Sequence, residues 1–284
     1  MNRNVAAAMQ KEPNGNISLT ITIPAEDIKK EWEEVMSDVA KNAEYPGFRK
    51  GKAPKNLVEE KVDKEKIREE VLRKLLPIAY TNAIKTHDLK PIINPKVHVE
   101  KLDDPTSPSG KGWQFTAITC EMPIIKLGKY KENIKKITAK SKIIIPGKEP
   151  VPAKFEDIVK TLLESIEAQI PEVLTDNETD RLLSQTLEDV KKLGLTLDQY
   201  LSSTGKKPED LRAEYRKKAE NDIELEFTLL KIAEEEKITV DDEEVNKAIA
   251  ASKSEDEKKN LESNRYLLTS IIRQQKTLDF LKNL

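Results

Sequence analysis

Apolar and polar residues alternate strictly through Ile17-Ser18-Leu19-Thr20-Ile21-Thr22-Ile23, and a period of two predicts a half-buried strand. At Pro24 the period changes. Ile28, Trp32, Val35, Met36 and Val39 recur at intervals of three and four, which predicts an amphipathic helix. Pro24 opens it, and Glu26 and Asp27 sit in its first turn, where the helix dipole favours acids. The pattern breaks over residues 45–54 and resumes at Pro54 with a short helix carrying Leu57, Val58 and Val62. A longer helix follows, with Ile67, Val71, Leu72, Leu75, Ile78, Ala79 and Ile84 on one side and Pro77 as a source of a kink. Strands are predicted near 96–102 and 112–121, joined by a loop rich in Asp, Pro, Ser and Gly. The order β-α-α-α-β-β predicts an α+β domain over residues 1–125.

The second half reads differently. Seven of the nine glycines precede residue 150, so turns thin out and helices dominate. Residues 126–154 hold nine lysines against Glu132 and Glu149 and end in a run of prolines, the composition of a linker with a basic surface. Beyond it, residues 155–284 predict an all-α domain. Phe155, Ile158, Val159, Leu162, Leu163, Ile166 and Ile170 form one stripe that ends at Pro171. Capping-box spacings at Thr175/Glu178, Thr196/Gln199 and Asp241/Glu244 mark helix starts, and Pro208 opens a long helix through Leu211, Tyr215, Ala219, Ile223, Phe227, Leu230 and Ala233. Residues 252–260 are polar enough to read as a connector before a last helix with Leu268, Ile271, Ile272, Leu278 and Leu281. No repeat period runs through these helices.

Composition sharpens this picture. A chain of 284 residues suits about two domains. With 37% hydrophobic and 35% charged residues it leans toward an elongated, helix-rich shape with much solvated surface. The net charge of −2 gives no global attraction to nucleic acid, so any basic contact is local. The single cysteine, Cys120, allows no disulfide within the chain, and the N-terminal apolar run is too short for a signal-peptide core. A cytoplasmic protein is expected.

The residues of catalysis are sparse. His87 and His98 are the only histidines, and neither has a metal-ligating neighbour at suitable spacing. Cys120 lies in an apparent strand without a histidine nearby and reads as a small core residue. No phosphate-cradling glycine loop or nucleophile elbow is present, and the paired carboxylates fall on charged helix faces. The expectation is a protein without enzyme activity, cofactor or metal.

The most informative segment is Tyr45-Pro46-Gly47-Phe48-Arg49-Lys50-Gly51-Lys52-Ala53-Pro54. A turn bounded by Pro and Gly places one aromatic ring among Arg49, Lys50, Lys52 and Lys55 with no acid. Its partner should be negative around a small apolar pocket. This segment, its place after a strand and an amphipathic helix, and the helical second half together resemble the bacterial trigger factors, chaperones of the ribosomal exit tunnel. Pro171–Leu174, Gly194–Leu201, Leu211–Arg216, Ile232–Ile238 and Thr277–Leu281 are similar to the helical domain of that family. The resemblance implies that Gly47, Phe48, Arg49, Lys50, Gly51, Lys52 and Pro54 dock on a ribosomal protein near ribosomal RNA. It also implies that the helical domain shields unfolded nascent chains, and that the free protein can form a homodimer. Client-binding residues are not picked out. Longer family members carry an FK506-binding-type prolyl isomerase between the two regions; here only 126–154 stands in its place, too short for a domain and with Tyr130 alone among aromatics. The competing readings are a prolyl isomerase and a ribosome- or RNA-binding factor without chaperone activity.

Overall fold

The first element is one that periodicity does not announce: Ala6–Lys11 form a strand, β1, with only Ala7 packed against the core. The computed structural model describes residues 6–42, 48–49, 57, 61–104, 112–141, 154–252 and 254–284. β1 turns through residues 12–16, where the amide of Gly15 donates to the Glu12 carbonyl (3.0 Å) and that of Asn16 to the Asn14 side chain (3.1 Å). It returns as β2, Ile17–Ile23, whose odd positions are buried throughout. The Pro13-Asn14-Gly15 turn was the available signal. An edge strand buries little, so its side chains carry no alternation.

The chain divides into two compact units, residues 1–122 and 123–284. In the first, α1 is Ala25–Asn42, α2 is Lys64–Thr86, β3 is Lys96–Leu102 and β4 is Trp113–Thr119. The four strands form an antiparallel sheet in the order β1-β2-β4-β3, with a bulge between Val99 and Lys101. One face is covered by the helices. Ile17, Leu19, Ile21 and Ile23 of β2 and Trp113, Phe115 and Ala117 of β4 meet Ile28, Trp32 and Val35 of α1 and Ile67, Val71, Leu75, Ala79 and Ala83 of α2. Each fully buried large side chain here contributes about 1.5–3 kcal/mol of transfer free energy. The Asp63 side chain caps α2 by accepting from the Glu65 amide (3.0 Å), and Pro77 lies inside this helix, where the Thr81 hydroxyl donates to its carbonyl (2.7 Å). Ile78, read as part of the apolar stripe, is exposed; Ala79 of that stripe is buried, as is Ala83. At the end of α2, His87 Nε2 donates to the Ala7 carbonyl (3.0 Å), tying the helix to the edge strand.

In the second unit β5, Ile124–Lys126, pairs antiparallel with β6, Glu167–Gln169. Its helices are α3 (Tyr130–Ser141), α4 (Phe155–Glu164), α5 (Glu172–Lys192), α6 (Leu197–Thr204), α7 (Pro208–Glu235), α8 (Asp242–Ala250), α9 (Glu255–Ser263) and α10 (Arg265–Asn283). Ile125, Leu127, Tyr130, Ile134, Ile158, Leu162, Leu229, Ile232 and Leu281 form its core.

Four expectations change here. Residues 126–154 were expected as a linker and the first domain to end at 125, but the units meet at 122/123 and α3 buries Tyr130 and Ile134 in the second core. The spacing Tyr130-Ile134-Thr138 is an apolar stripe hidden among lysines, and residues 142–153 lie outside the described ones. Second, the stripe from Phe155 to Ile170 is not one helix. It ends at Glu164, and Ile166, Ala168 and Ile170 face the core from β6 and its flanks. Third, Thr175 caps nothing: α5 starts after Pro171, Thr175 is buried within it, and its carbonyl accepts from the Thr179 hydroxyl (2.7 Å). Fourth, the polar connector is in fact α9, capped by Ser254, with no buried residue. The boxes at Thr196/Gln199 and Asp241/Glu244 form as expected, and Gly205, with φ 65°, closes α6.

Two outcomes test this packing. Gly112 has φ +105°, and a Cβ there would lie 2.2 Å from the Ile23 carbonyl oxygen. Gly112→Ala should cost at least about 1–3 kcal/mol in urea unfolding; an unchanged midpoint contradicts the close approach of β2 and the β4 entry. Burial pushes the Cys120 thiol up to about 11 from 9.0. The native protein should therefore react with thiol reagents near pH 8 only on unfolding. The favourable term from the neutral thiol is complete below pH 9 and is lost as pH rises toward 11, so Cys120→Ala should flatten stability across that window.

Candidate docking site and apolar surfaces

The signature segment is bracketed by α1 and α2, two helices locked on the same sheet. α1 ends at Asn42 and α2 begins at Lys64. Besides their shared core, the helices are joined by Lys74 Nζ at 3.5 Å from the Glu31 carboxylate, whose side chain is only 8% exposed. A rigid bracket of this kind fixes where the intervening chain leaves and returns.

Within it, Phe48 and Arg49 are described, and both are exposed. Phe48 is 44% accessible and takes no part in the core of its unit. Phe48 and Arg49 thus stand together at the surface, in a chain with 5% aromatic residues. Gly47, Lys50, Gly51, Lys52 and Pro54 lie outside the described residues, as do Val58 and the start of the short helix predicted at Pro54; Leu57 and Lys61 are helical.

The second unit carries apolar groups that sequence reasoning missed. Leu193 (76% exposed), Leu195 and Leu197 project at the α5–α6 junction, and Tyr266 (91% exposed), Leu267 and Ile271 lie on α10. The signal was present in Leu193-Gly194-Leu195-Thr196-Leu197, three leucines alternating through a turn, where neither helix can cover them. On α7, Leu229 is in the core and Leu225 and Phe227 pack on it.

These surfaces are held by polar joints. Between α5 and α7, Arg216 reaches Glu172 (2.9 Å) and Asp176 (3.1 Å), Arg212 reaches Asp180 (3.1 Å), and Thr186 shares a hydrogen bond with the Tyr215 hydroxyl (2.7 Å); within α7, Arg216 also reaches Glu220 (3.5 Å). Burial, with the charge of Glu178 nearby, raises the Glu226 carboxyl above its usual range. The turn from α7 to α8 is pinned from α10: Arg273 Nε donates to the Ile238 carbonyl (3.0 Å), and Lys276 Nζ to the Thr239 carbonyl (2.6 Å) and to Glu244 (2.8 Å). At the end of α7, Glu236 accepts from the Tyr130 hydroxyl (3.2 Å) and lies 2.6 Å from Lys131 Nζ. That ammonium, with the phenol, holds the Glu236 carboxyl below its usual range, while burial and Glu236 push the Tyr130 phenol up. The effect is to clamp α3 to α7.

Among the described residues no group of three or more His, Cys, Asp or Glu is placed to hold a metal, and no helix is long and apolar enough to cross a membrane. Cys120 is buried and free, as expected of a core residue.

Comparison with known proteins agrees with this architecture. A family model described as bacterial trigger factor protein matches residues 5–157, and one for the trigger factor C-terminus matches residues 151–283. Trigger factors of Staphylococcus aureus strains JH9 and Newman are 35% identical over 127 residues, which is 45% of this chain and 28% of each relative. The chain thus aligns with less than a third of the length of these relatives. A solved structure of the trigger factor chaperone, studied for promiscuous substrate recognition in folding and assembly, superposes with a TM-score of 0.65 over 97% of this chain and 99% of that one. At 15% identity that likeness establishes the fold. With one family model spanning more than half of its residues and a second covering the remainder, the chain belongs to the bacterial trigger factor family.

Proposed function

We propose that this protein is a ribosome-docked chaperone of the cytoplasm, its first unit binding beside the polypeptide exit tunnel and its second shielding unfolded nascent chains. The observation that carries the reading is the exposure of Phe48 between two helices fixed on one sheet, in a segment otherwise basic. Magnitudes rank the contacts. Exposed ion pairs contribute about 0–1 kcal/mol each, whereas burying a Phe side chain contributes about 1.5–3 kcal/mol. Phe48 is therefore the anchor, and Arg49, Lys50 and Lys52 orient the approach and make it salt-sensitive. Gly47, Gly51 and Pro54 shape the turn.

For clients, Leu193, Leu195 and Leu197 and the Tyr266-Leu267-Ile271 face supply exposed apolar contact, a surface suited to weak binding of many sequences. The proposal includes no prolyl isomerase activity. The two family models meet at residues 151–157, so no stretch of chain lies between them for a separate catalytic domain.

Ribosome co-sedimentation of the Phe48/Arg49/Lys50→Ala variant should show affinity reduced by about 10- to 100-fold or more; undiminished binding removes the docking role. The unit 123–284, which keeps Ile125, Leu127, Tyr130 and Ile134 in its core, should slow aggregation of an unfolded client, and Leu193/Leu195/Leu197→Ser should weaken that protection. An inactive 123–284 unit would place client binding elsewhere. A proline-peptide assay should run at the uncatalysed rate; clear acceleration would overturn the non-isomerase reading.

A further inference from the structure

The turn between β1 and β2 carries the one Asn-Gly sequence of the chain, Asn14-Gly15. Asparagine is a chemically labile residue, and it is most labile where the next residue has no Cβ to hinder its backbone nitrogen. Asn14 is exposed, and Gly15 has φ +82°, in the left-handed region. The Asn16 amide donates to Asn14 Oδ1 at 3.1 Å. That bond closes a ring containing both Asn14 Cγ and the Gly15 nitrogen, so the side-chain amide is folded toward the nitrogen that follows it. It also puts a donor on the oxygen that gains negative charge when Cγ is attacked. The Gly15 amide hydrogen is directed to the Glu12 carbonyl at 3.0 Å.

We propose that Asn14 is a site of spontaneous modification, deamidating in the folded protein to aspartate and isoaspartate with water as the co-reactant. Hydroxide removes the Gly15 amide proton, and the nitrogen bonds to Asn14 Cγ. The Cγ–Nδ2 bond breaks, and Nδ2 leaves as ammonia with a proton from water, which regenerates the hydroxide. Water then opens the cyclic imide. Breaking the new bond at Cγ gives aspartate; breaking the bond at the main-chain carbonyl carbon gives isoaspartate, with the main chain rerouted through Cβ and Cγ. Either product adds a negative charge, but only the second lengthens the turn. That turn holds the Glu12 amide to the Asn16 carbonyl (2.9 Å) and sets Lys11 opposite Ile17. Beyond its ladder with β2, β1 is held by Ala7, which packs on the core and accepts from His87. Isoaspartate at position 14 therefore loosens β1 and leaves β2 paired with β4.

Full-length protein aged in mildly alkaline buffer, cut with trypsin and weighed, tests this. The peptide from Glu12 to Lys29 should gain the mass of an amide turned to an acid at Asn14, ahead of every other asparagine and at a rate proportional to hydroxide. Isoaspartyl methyltransferase should label it. Hydrogen exchange on the converted protein should show protection lost across β1 and kept in β2 and β4. Asn14→Ser, whose hydroxyl still accepts from the Asn16 amide, should age without either change. Asn14→Asp, measured fresh, should keep β1 protected, because its carboxylate accepts the same bond; the loosening then belongs to the rerouted chain and not to the charge. If Asn14 keeps its amide in the folded protein while converting in guanidinium, or if another asparagine converts faster, the modification site is overturned. Converted protein with unchanged exchange in β1, or a fresh Asn14→Asp variant as loose as the aged protein, overturns the effect of the rerouted chain.

Discussion

Burial of alternate side chains from β2 and β4 beneath α1 and α2 is the constraint on which the first unit depends. Leu19, Ile21 and Phe115 are fully inaccessible, and the two helices that cover them have no freedom to slide without exposing that surface. A one-residue slip of either strand would turn its apolar set to solvent. α1 and α2, which flank residues 43–63 in sequence, are both held in place by that core.

The second unit is organised by a different balance. Its core gathers short apolar contributions from β5, α3, α4, α7 and α10, while α5 and the start of α7 add buried Val173, Leu182, Val190, Leu211, Ala219 and Ile223 beside ion pairs and hydroxyls. Exposed leucines stand at the α5–α6 turn, where no neighbouring element supplies a covering face.

Much of this was legible in the residues. Clean alternation at 17–23, the Pro24 and Pro208 helix starts and the boxes at Thr196 and Asp241 each rest on one local rule, and each forms as read. Misreadings arose where two rules competed. In α3 the lysine content masked a stripe made by Tyr130, Ile134 and Thr138. At 166–170 a period-two segment continued a period-3.6 stripe without an intervening Gly or Pro, so helix and strand looked like one element. At Thr175 a capping spacing lay inside a helix already started by Pro171. Of the candidate site, Phe48 and Arg49 lie among the described residues and are exposed; the exposed groups at Leu193–Leu197 and Tyr266–Ile271 were not legible, because exposure depends on which neighbours the fold supplies, which no spacing along one helix reveals.

The ion pairs between α5 and α7 carry an electrostatic consequence. Arg212 and Arg216 bridge to Asp180, Glu172 and Asp176 at the surface of two helices that also bury Val173, Leu182, Val190, Leu211, Ala219 and Ile223. Added salt therefore weakens the charged margin of this helical pair, while the buried hydrocarbon, which sets its share of the heat capacity of unfolding, is unaffected.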